Sequence, residues 1–148
     1  MDRLAKWAKD PEQFVLNVFG VRPDPWQVDV LQAVPRHQRL AMKACKGPGK
    51  TAVLAWLAWN FLVVNQDPKI AATSVSGDNL ADGLWAEMAK WQAKSPLLSA
   101  GFKWTRDRIF AKRRPQTWWM SARSWAKSAD PASLGQTLAC TAIPSCSY

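Results

Sequence analysis

Residues 44–51 read Ala44-Cys45-Lys46-Gly47-Pro48-Gly49-Lys50-Thr51, and this stretch decides the fold that the sequence predicts. A short apolar run (40–42) precedes it and a long apolar run (52–64) follows it, which predicts a buried helix from residue 50 to about residue 64. Strand, glycine-containing loop, lysine, hydroxyl and helix is the order of a phosphate-binding loop. Glycine lets the backbone curl close to an anion, and the N–H groups at the start of the following helix point at it.

The loop predicts an ATP and Mg²⁺ site. Lys50 is expected to reach the β- and γ-phosphates and to serve catalysis, and Thr51 to place its hydroxyl on the metal. Gly47, Pro48 and Gly49 complete the expected phosphate cradle. The usual first glycine of the pattern is replaced by Ala44. A Gly-Pro-Gly turn that merely caps a buried helix is therefore the alternative interpretation.

Composition bounds the class of protein. The chain has 148 residues, 48% of them hydrophobic, which is enough for one domain with a core. Its formal net charge of +9 indicates a polyanionic or acidic partner, or simply a basic surface. Three cysteines without a C-x-x-C pair, and a single histidine, make a metal cluster unexpected. No signal peptide or membrane-length apolar run is present, so we expect a cytoplasmic protein without a membrane partner.

The upstream segment predicts helices and a base contact. A helix is expected over 3–19, with Pro11 interrupting it or starting a second helix, and Gly20 ending it. Asp24 can cap the next helix and Pro25 suits its first position. The adjacent residues Trp26 and Gln27 are candidates for binding adenine. The amide of Gln27 offers both a donor and an acceptor, and the ring of Trp26 can pack against the base. A surface glutamine beside a packed tryptophan is the alternative.

The apolar pattern predicts an α/β fold, with strands over 39–44, 69–75 and 117–120. Between the second and third strands, an amphipathic helix carries Leu80, Leu84, Trp85, Met88 and Trp91 on one face. Strand, helix, strand, helix indicates a parallel sheet with right-handed crossovers, which we read as an incomplete P-loop NTPase-type sheet with flanking helices. The loop 73–77 either neighbours the phosphates or nucleic acid, or is a polar helix cap. Residues 121–128 are expected to form a polar loop.

Basic residues interleaved with aromatic ones are concentrated after residue 102. Such a pattern suits contact with a DNA backbone. A solvated hairpin face is the alternative. The candidate nucleic-acid residues are Lys103, Arg106, Arg108, Lys112, Arg113 and Arg114.

The order of these segments resembles the N-terminal ATPase domain of the large terminase subunit of tailed bacteriophages. The resemblance rests on Pro25-Trp26-Gln27, Lys43 to Thr51, Thr73-Ser74, Leu84-Trp85-x-Glu87, Thr117-Trp118-Trp119 and Ser128-Ala129-Asp130-Pro131. It implies an ATPase that packages double-stranded DNA during virion assembly, with a portal protein and a small terminase subunit as partners. The resemblance also implies that Lys46, a basic residue inside the loop, faces the γ-phosphate and acts in cis like an arginine finger. A solvent-facing lysine is the alternative.

One departure from the resemblance concerns the carboxylates. The family's ATPases need an apolar strand ending in Asp-Glu, which holds Mg²⁺ and orients the attacking water. No Asp-Glu occurs in this sequence. We therefore expect a partial ATPase domain over 1–139, little or no ATP hydrolysis, and a tail over 140–148 that is foreign to the family. A frame shift of one nucleotide would turn the last four residues of the tail apolar, so we interpret the tail as frameshifted and the chain as truncated.

Two other functional classes stay open on the sequence. A helicase-like, DNA-dependent ATPase shares the upstream glutamine and the phosphate-binding loop. A basic DNA-binding module without enzymatic activity is the other, and in it the glycine loop would be a structural turn. Saturable ATP binding separates that module from both ATPases.

Overall fold

A layer of helices lies on one face of a short mixed sheet. The computed structural model describes residues 3–43, 47, 49–74 and 83–124. The helices are α1 (Arg3–Lys9), α2 (Pro11–Phe19), α3 (Pro25–Ala33), α4 (Lys50–Val64), α5 (Ala86–Lys94) and α6 (Pro96–Gly101). The strands are β1 (Lys69–Ser74), β2 (Phe102–Trp104), β3 (Arg108–Ala111) and β4 (Trp119–Ser124).

The first helices begin and end where the sequence predicts. Pro11 starts α2, and the carboxylate of Asp10 accepts a hydrogen bond from the N–H of Gln13 at 3.3 Å. Gly20 ends α2 in the left-handed conformation, with φ of 66°, and its N–H donates to the carbonyl of Leu16. Glycine adopts this conformation without the strain that a Cβ would cause.

Helix α4 is the centre of the core and has the predicted bounds of 50–64. Val53, Trp56, Trp59 and Leu62 are all buried. The buried Asn60 donates from Nδ2 to the carbonyl of Trp7 at 3.0 Å, which ties α4 to α1. A helix that is apolar on most faces must be covered on most faces, and α1, α2, α3 and α5 all contact this one.

The sheet differs from the predicted parallel arrangement. Its strand order is β1-β4-β3-β2, and the β1–β4 pair is parallel, whereas β4–β3 and β3–β2 are antiparallel. Three residues join β2 to β3, and so short a connection can only return the chain antiparallel. The mixed α/β class is therefore confirmed, but the all-parallel sheet was the wrong prediction.

Two strand predictions also need correction. Residues 39–43 form no strand, because a short apolar run between Arg39 and Lys43 cannot bury both faces as a parallel strand requires. The strand predicted over 117–120 instead runs from Trp119 to Ser124, so residues 121–124 belong to β4 and not to a polar loop. Ser121 and Arg123 alternate with the inward-facing Met120 and Ala122, as in a half-buried strand.

Some predictions lie outside the described residues. They are the cap at Asp78 or Asn79, Leu80, the loop residues 75–77, the segment 128–131 and the boundary between 139 and 140. The rest of the predicted amphipathic face is confirmed, since Trp85, Met88 and Trp91 are buried in α5 or just before it. Among the helices described here, none is long and apolar enough to cross a membrane.

The two faces of the sheet are distinct. The inner face packs on the helices: Trp59 of α4 contacts Phe102 and Trp85 contacts Trp104, with ring centroids 5.3 and 5.5 Å apart. Strand alternation sends the intervening residues to the opposite side. We call these residues the outer face: Lys69, Ala71, Thr73, Lys103, Arg108, Phe110, Trp119, Ser121 and Arg123.

Candidate nucleotide site and basic residues

The candidate nucleotide site lies at the start of α4. Gly47 and Gly49 both have positive φ, 92° and 91°, and Gly49 is the N-cap of the helix. Glycine is therefore required at both positions for conformational reasons. The carbonyl of Gly49 accepts the N–H of Val53 at 3.2 Å, and the N–H groups of a helix's first turn point toward its N-terminal end.

Lys50 and Thr51 occupy the first turn of α4 and are both half-buried. This places the predicted phosphate-binding lysine and metal-binding hydroxyl beside the donor end of the helix, where the helix dipole favours an anion. Lys46 and Pro48 lie outside the described residues, so their predicted roles stay predictions.

Gln27, which lies 22 positions upstream of Gly49 in sequence, is adjacent to it in space. A Cβ built on Gly49 would stand 2.8 Å from Nε2 of Gln27, so the amide lies against the glycine that starts α4. The side chain of Gln27 is only 6% exposed. The helix of the expected base-contacting residue is therefore packed next to the expected phosphate loop.

The orientation of the Gln27 amide is fixed by the start of α3. Gln27 is the third residue of that helix, and its Oε1 accepts the N–H of Asp24 at 2.9 Å. This half of a capping box directs Nε2 away from the cap and toward Gly49. One lone pair of Oε1 is thus in use, while Nε2 is the group that faces the loop. Trp26, the other predicted base contact, is half-buried and packs against the core.

Few of the described side chains near the start of α4 could bind a metal ion. Within the part of the chain that the structure describes, no three His, Cys, Asp or Glu side chains lie close enough together to hold a metal ion. A hydroxyl such as that of Thr51 binds Mg²⁺ in combination with phosphate oxygens and a carboxylate. Of these ligands, the described site contains the hydroxyl of Thr51.

The six basic residues predicted to bind nucleic acid fall in three places. Lys103 and Arg108 lie on the outer face, Arg106 is exposed in the β2–β3 turn, and the other three lie in the turn after β3. The guanidinium of Arg108 lies over the ring of Trp119, 4.6 Å from its centroid. The hairpin separates the β2–β3 turn from the turn after β3 by its own length, so the six residues do not lie together.

The turn after β3 is tied to the rest of the fold. Arg114 donates to a carboxylate oxygen of Asp67 at 2.6 Å, and the hydroxyl of Thr117 donates to the other oxygen at 2.8 Å. Lys112 donates to the carbonyl of Ser99 at 3.1 Å. The hydrogen bond from Thr117, and then the guanidinium of Arg114, lower the pKa of Asp67 below 3.8. These residues hold the turn in place, so fewer of the predicted cations remain available to a polyanion.

Glu87, one of the residues on which the resemblance rests, is engaged within α5. Its carboxylate accepts from the indole N–H of Trp91 at 2.8 Å and from Lys90 at 3.1 Å. In this arrangement Glu87 orients Trp91, whose ring packs against Trp56 of α4 at a centroid distance of 5.2 Å. The structure therefore gives Glu87 a packing role.

The fold is similar to that of a protein whose structure has been solved. A solved structure, the crystal structure of the HK97 bacteriophage large terminase, superposes with a TM-score of 0.65 at 20% sequence identity. The superposition covers 84% of this chain and 28% of that chain. This chain has a terminase-like fold. No known family profile matches the sequence, and no curated protein matches it.

Several residues that the structure brings together were not predicted from the sequence to be site residues. Lys69, Phe110, Trp119 and Arg123 share the outer face with Lys103 and Arg108. The available signal was the alternation of polar and apolar residues over 119–124, which marks a strand with one buried face. The sequence did not indicate which strands pair with each other. The pairing of the strands determines which side chains lie side by side on the sheet.

Proposed function

We propose that the chain is part of a DNA-packaging ATPase of the large terminase kind and binds ATP at the start of α4. The observation that carries the proposal is the contact between Gln27 and Gly49, which packs the candidate base-binding helix against the candidate phosphate loop. The terminase-like fold supports it, although 20% identity speaks for the fold alone. Since the superposition spans 28% of the terminase chain, the activity of the whole motor is part of the proposal.

In the proposed site each group has a separate task. The first-turn N–H groups of α4 and the ammonium of Lys50 bind the β- and γ-phosphates. Thr51 holds Mg²⁺ together with phosphate oxygens. Nε2 of Gln27 donates a hydrogen bond to the adenine, and the ring of Trp26 packs against the face of the base. Lys46 stabilises the charge that develops on the γ-phosphate. Because the sequence contains no Asp-Glu pair to hold the metal and orient water, binding is expected without efficient hydrolysis.

Equilibrium binding of a fluorescent ATP analogue, followed by anisotropy, tests the phosphate contacts. Lys50→Ala removes a charged hydrogen bond, so we expect affinity to fall about tenfold or more. Lys9→Ala removes an exposed charge from α1 and should leave affinity unchanged. If Lys50→Ala binds as tightly as Lys9→Ala, or if the unaltered chain shows no saturable binding, the glycine loop is a structural turn.

The base contact needs a variant that keeps the cap of α3. Gln27→Glu retains an oxygen for the N–H of Asp24 but replaces the Nε2 donor, so the helix start is preserved. We expect the preference for ATP over GTP to shrink while the contribution of Lys50 persists. An unchanged preference would remove Gln27 and Trp26 from the base site without affecting the phosphate site.

Hydrolysis is measured separately, as phosphate release with and without Mg²⁺. The proposal expects release at the level of the Lys50→Ala variant. Turnover that is well above that level, and disappears in Lys50→Ala, would show that the chain completes its own catalytic site.

The proposed partner is double-stranded DNA, contacted through its phosphates. Arg106 and Arg113 are exposed at opposite ends of the hairpin and make no hydrogen bond or ion pair within the described residues. Replacing both with Ala should lower the slope of log K against log salt by about 1.8, since each phosphate contact contributes about 0.9. The double variant Lys6→Ala/Lys9→Ala, on the helical side, is the charge-matched control. Equal effects of the two double variants would mean that only the net charge matters.

A further inference from the structure

A row of side chains crosses the outer face of the sheet from edge to edge. Lys69 of β1 is paired with Trp119 of β4, Trp119 with Phe110 of β3, and Phe110 with Lys103 of β2. With neighbouring strands about 4.8 Å apart, the row is about 15 Å long. The two aromatic rings are adjacent in the middle, and a lysine stands at each end.

The row is accessible from one side. Lys69 and Lys103 are exposed, and Phe110 and Trp119 are half-buried. The ring contacts and hydrogen bonds that join the described helices to the strands fall on the inner face. Half-buried aromatic rings on a sheet face keep part of their surface in contact with solvent, and that part can stack on a flat ligand.

Two further cations frame the row. Arg108 lies over Trp119, and its Nε is buried without a hydrogen-bond partner among the described residues. Arg123 is exposed four residues beyond Trp119 along β4. Of the residues of the outer face, Lys69, Lys103, Arg108 and Arg123 are basic and none is acidic.

Among the described residues, two carboxylates lie in turns at the rims of this face. Asp67, close to Lys69 in sequence, is held by Arg114 and Thr117. Asp107 is exposed in the turn between β2 and β3. The face itself therefore presents positive charge and aromatic rings together, which is complementary to a polyanion that carries flat, exposed bases.

We propose that the outer face binds single-stranded nucleic acid. Two bases stack on Trp119 and Phe110, and the flanking phosphates contact Lys69 and Lys103. Sheets that place aromatic residues on neighbouring strands bind unstacked bases in this way, with cations along the backbone path. A duplex keeps its bases stacked inside, so it would use the cations but leave the rings without partners. The proposal goes beyond ATP binding and does not depend on it.

The test measures the affinity of the full chain for a labelled oligothymidylate and for a duplex of the same length, by fluorescence anisotropy at low salt. Phe110→Ala should weaken binding of the single strand at least about fivefold, because stacking on one ring is lost. Its effect on the duplex should be small. Phe110→Leu, which keeps apolar volume but has no ring, should show the same selective loss and guards against simple unfolding. Circular dichroism melting verifies that both variants are folded.

A second variant, which removes both lysines of the row, tests the proposed phosphate contacts. Lys69→Ala/Lys103→Ala should reduce the single-strand salt slope by about 1.4, since each contact with a single strand contributes about 0.7. Lys6→Ala/Lys9→Ala removes the same charge from α1 and should change the slope far less. Equal losses in the two double variants, equal effects of Phe110→Leu on both nucleic acids, or no saturable binding of the single strand would each overturn the proposal.

Discussion

The two faces of the sheet are made from alternate residues of the same strands, yet they differ in almost every physical respect. Ile70, Phe102, Ile109 and Met120 on the inner face are 7% exposed or less. The outer face offers exposed lysines and half-buried rings in the matching positions. A shift of one residue in register would exchange the two sets, so the contrast itself fixes the register of the strands.

The two faces also contribute differently to the stability of the fold and to the binding of partners. The inner residues lose apolar surface to the helices, which is the main favourable contribution to folding. The outer residues gain little from folding, because most of them stay in contact with water. We therefore expect substitutions on the inner face to change the free energy of unfolding, and substitutions on the outer face to change binding.

The largest expected effect is at Trp59, where α4 meets the inner face. Trp59 is fully buried, and its Nε1 donates to the carbonyl of Met88 at 3.1 Å. Trp59→Ala should destabilise the fold by about 3–5 kcal/mol, measured by urea denaturation. Phe61 on the same helix is 37% exposed, and Phe61→Ala is the control with a much smaller expected loss. Similar losses for the two would mean that α4 is not the core helix.

A neighbouring pair on β3 compares the two faces directly. Ile109 is fully buried and Phe110 is half-buried on the other side. Ile109→Ala should cost about 2–5 kcal/mol of unfolding free energy. Phe110→Ala removes a larger side chain but should cost less, because much of the ring stays in water. The reverse order in denaturation would show that the outer face is covered in the folded chain.

The sequence specified the helices well because their signals are local. Pro11, Gly20 and Pro25 act on the nearest turn of backbone, and each begins or ends a helix as predicted. The bounds of α4 followed from the apolar run over 52–64, which comes directly after Gly49, Lys50 and Thr51. The part of the candidate site that depends on these features, the start of α4 with Lys50 and Thr51, could therefore be predicted.

The strands were less predictable because pairing is not local. Residues 39–43 had a suitable apolar run but form no strand, and residues 121–124 looked like a loop but pair with β1 and β3. The contact between Gln27 and Gly49 likewise could not be predicted from the sequence, because it depends on how α3 packs beside α4. The sequence supplied the candidate residues, and tertiary packing determined which of them meet.

Two adjacent tryptophans give a smaller contrast. Trp118 points inward and donates from Nε1 to the carbonyl of Leu62 at 2.7 Å, whereas Trp119 points outward under Arg108. Trp118→Phe keeps a ring but loses that hydrogen bond, so thermal unfolding should show a loss of about 0.5–1.5 kcal/mol. Trp119→Phe should cost about 0.5 kcal/mol, because a phenyl ring binds a cation less well than an indole. A greater loss for Trp119→Phe would contradict the assignment of the faces.

The smallest expected effect concerns the rim where the two faces meet, at Asp67. Its carboxylate accepts hydrogen bonds from Thr117 and Arg114 and joins the turn before β1 to the turn before β4. Asp67 has a positive φ of 52°, which Asn also tolerates, so Asp67→Asn removes the charge without straining the backbone. Asp29→Asn, on α3, removes one exposed negative charge elsewhere and serves as the control.

The sign of the pH dependence follows from the lowered pKa of Asp67. A carboxyl whose pKa is lower in the folded state than in the unfolded state stabilises the fold at every pH above its unfolded pKa. That contribution is lost as the pH falls through the lower, folded value. The melting temperature of Asp67→Asn should therefore lie slightly below that of the unaltered chain at pH 6, and the two should converge as the pH falls below the ordinary range of an aspartate carboxyl. A difference that persists at acid pH would mean that the carboxylate charge is not what stabilises this rim.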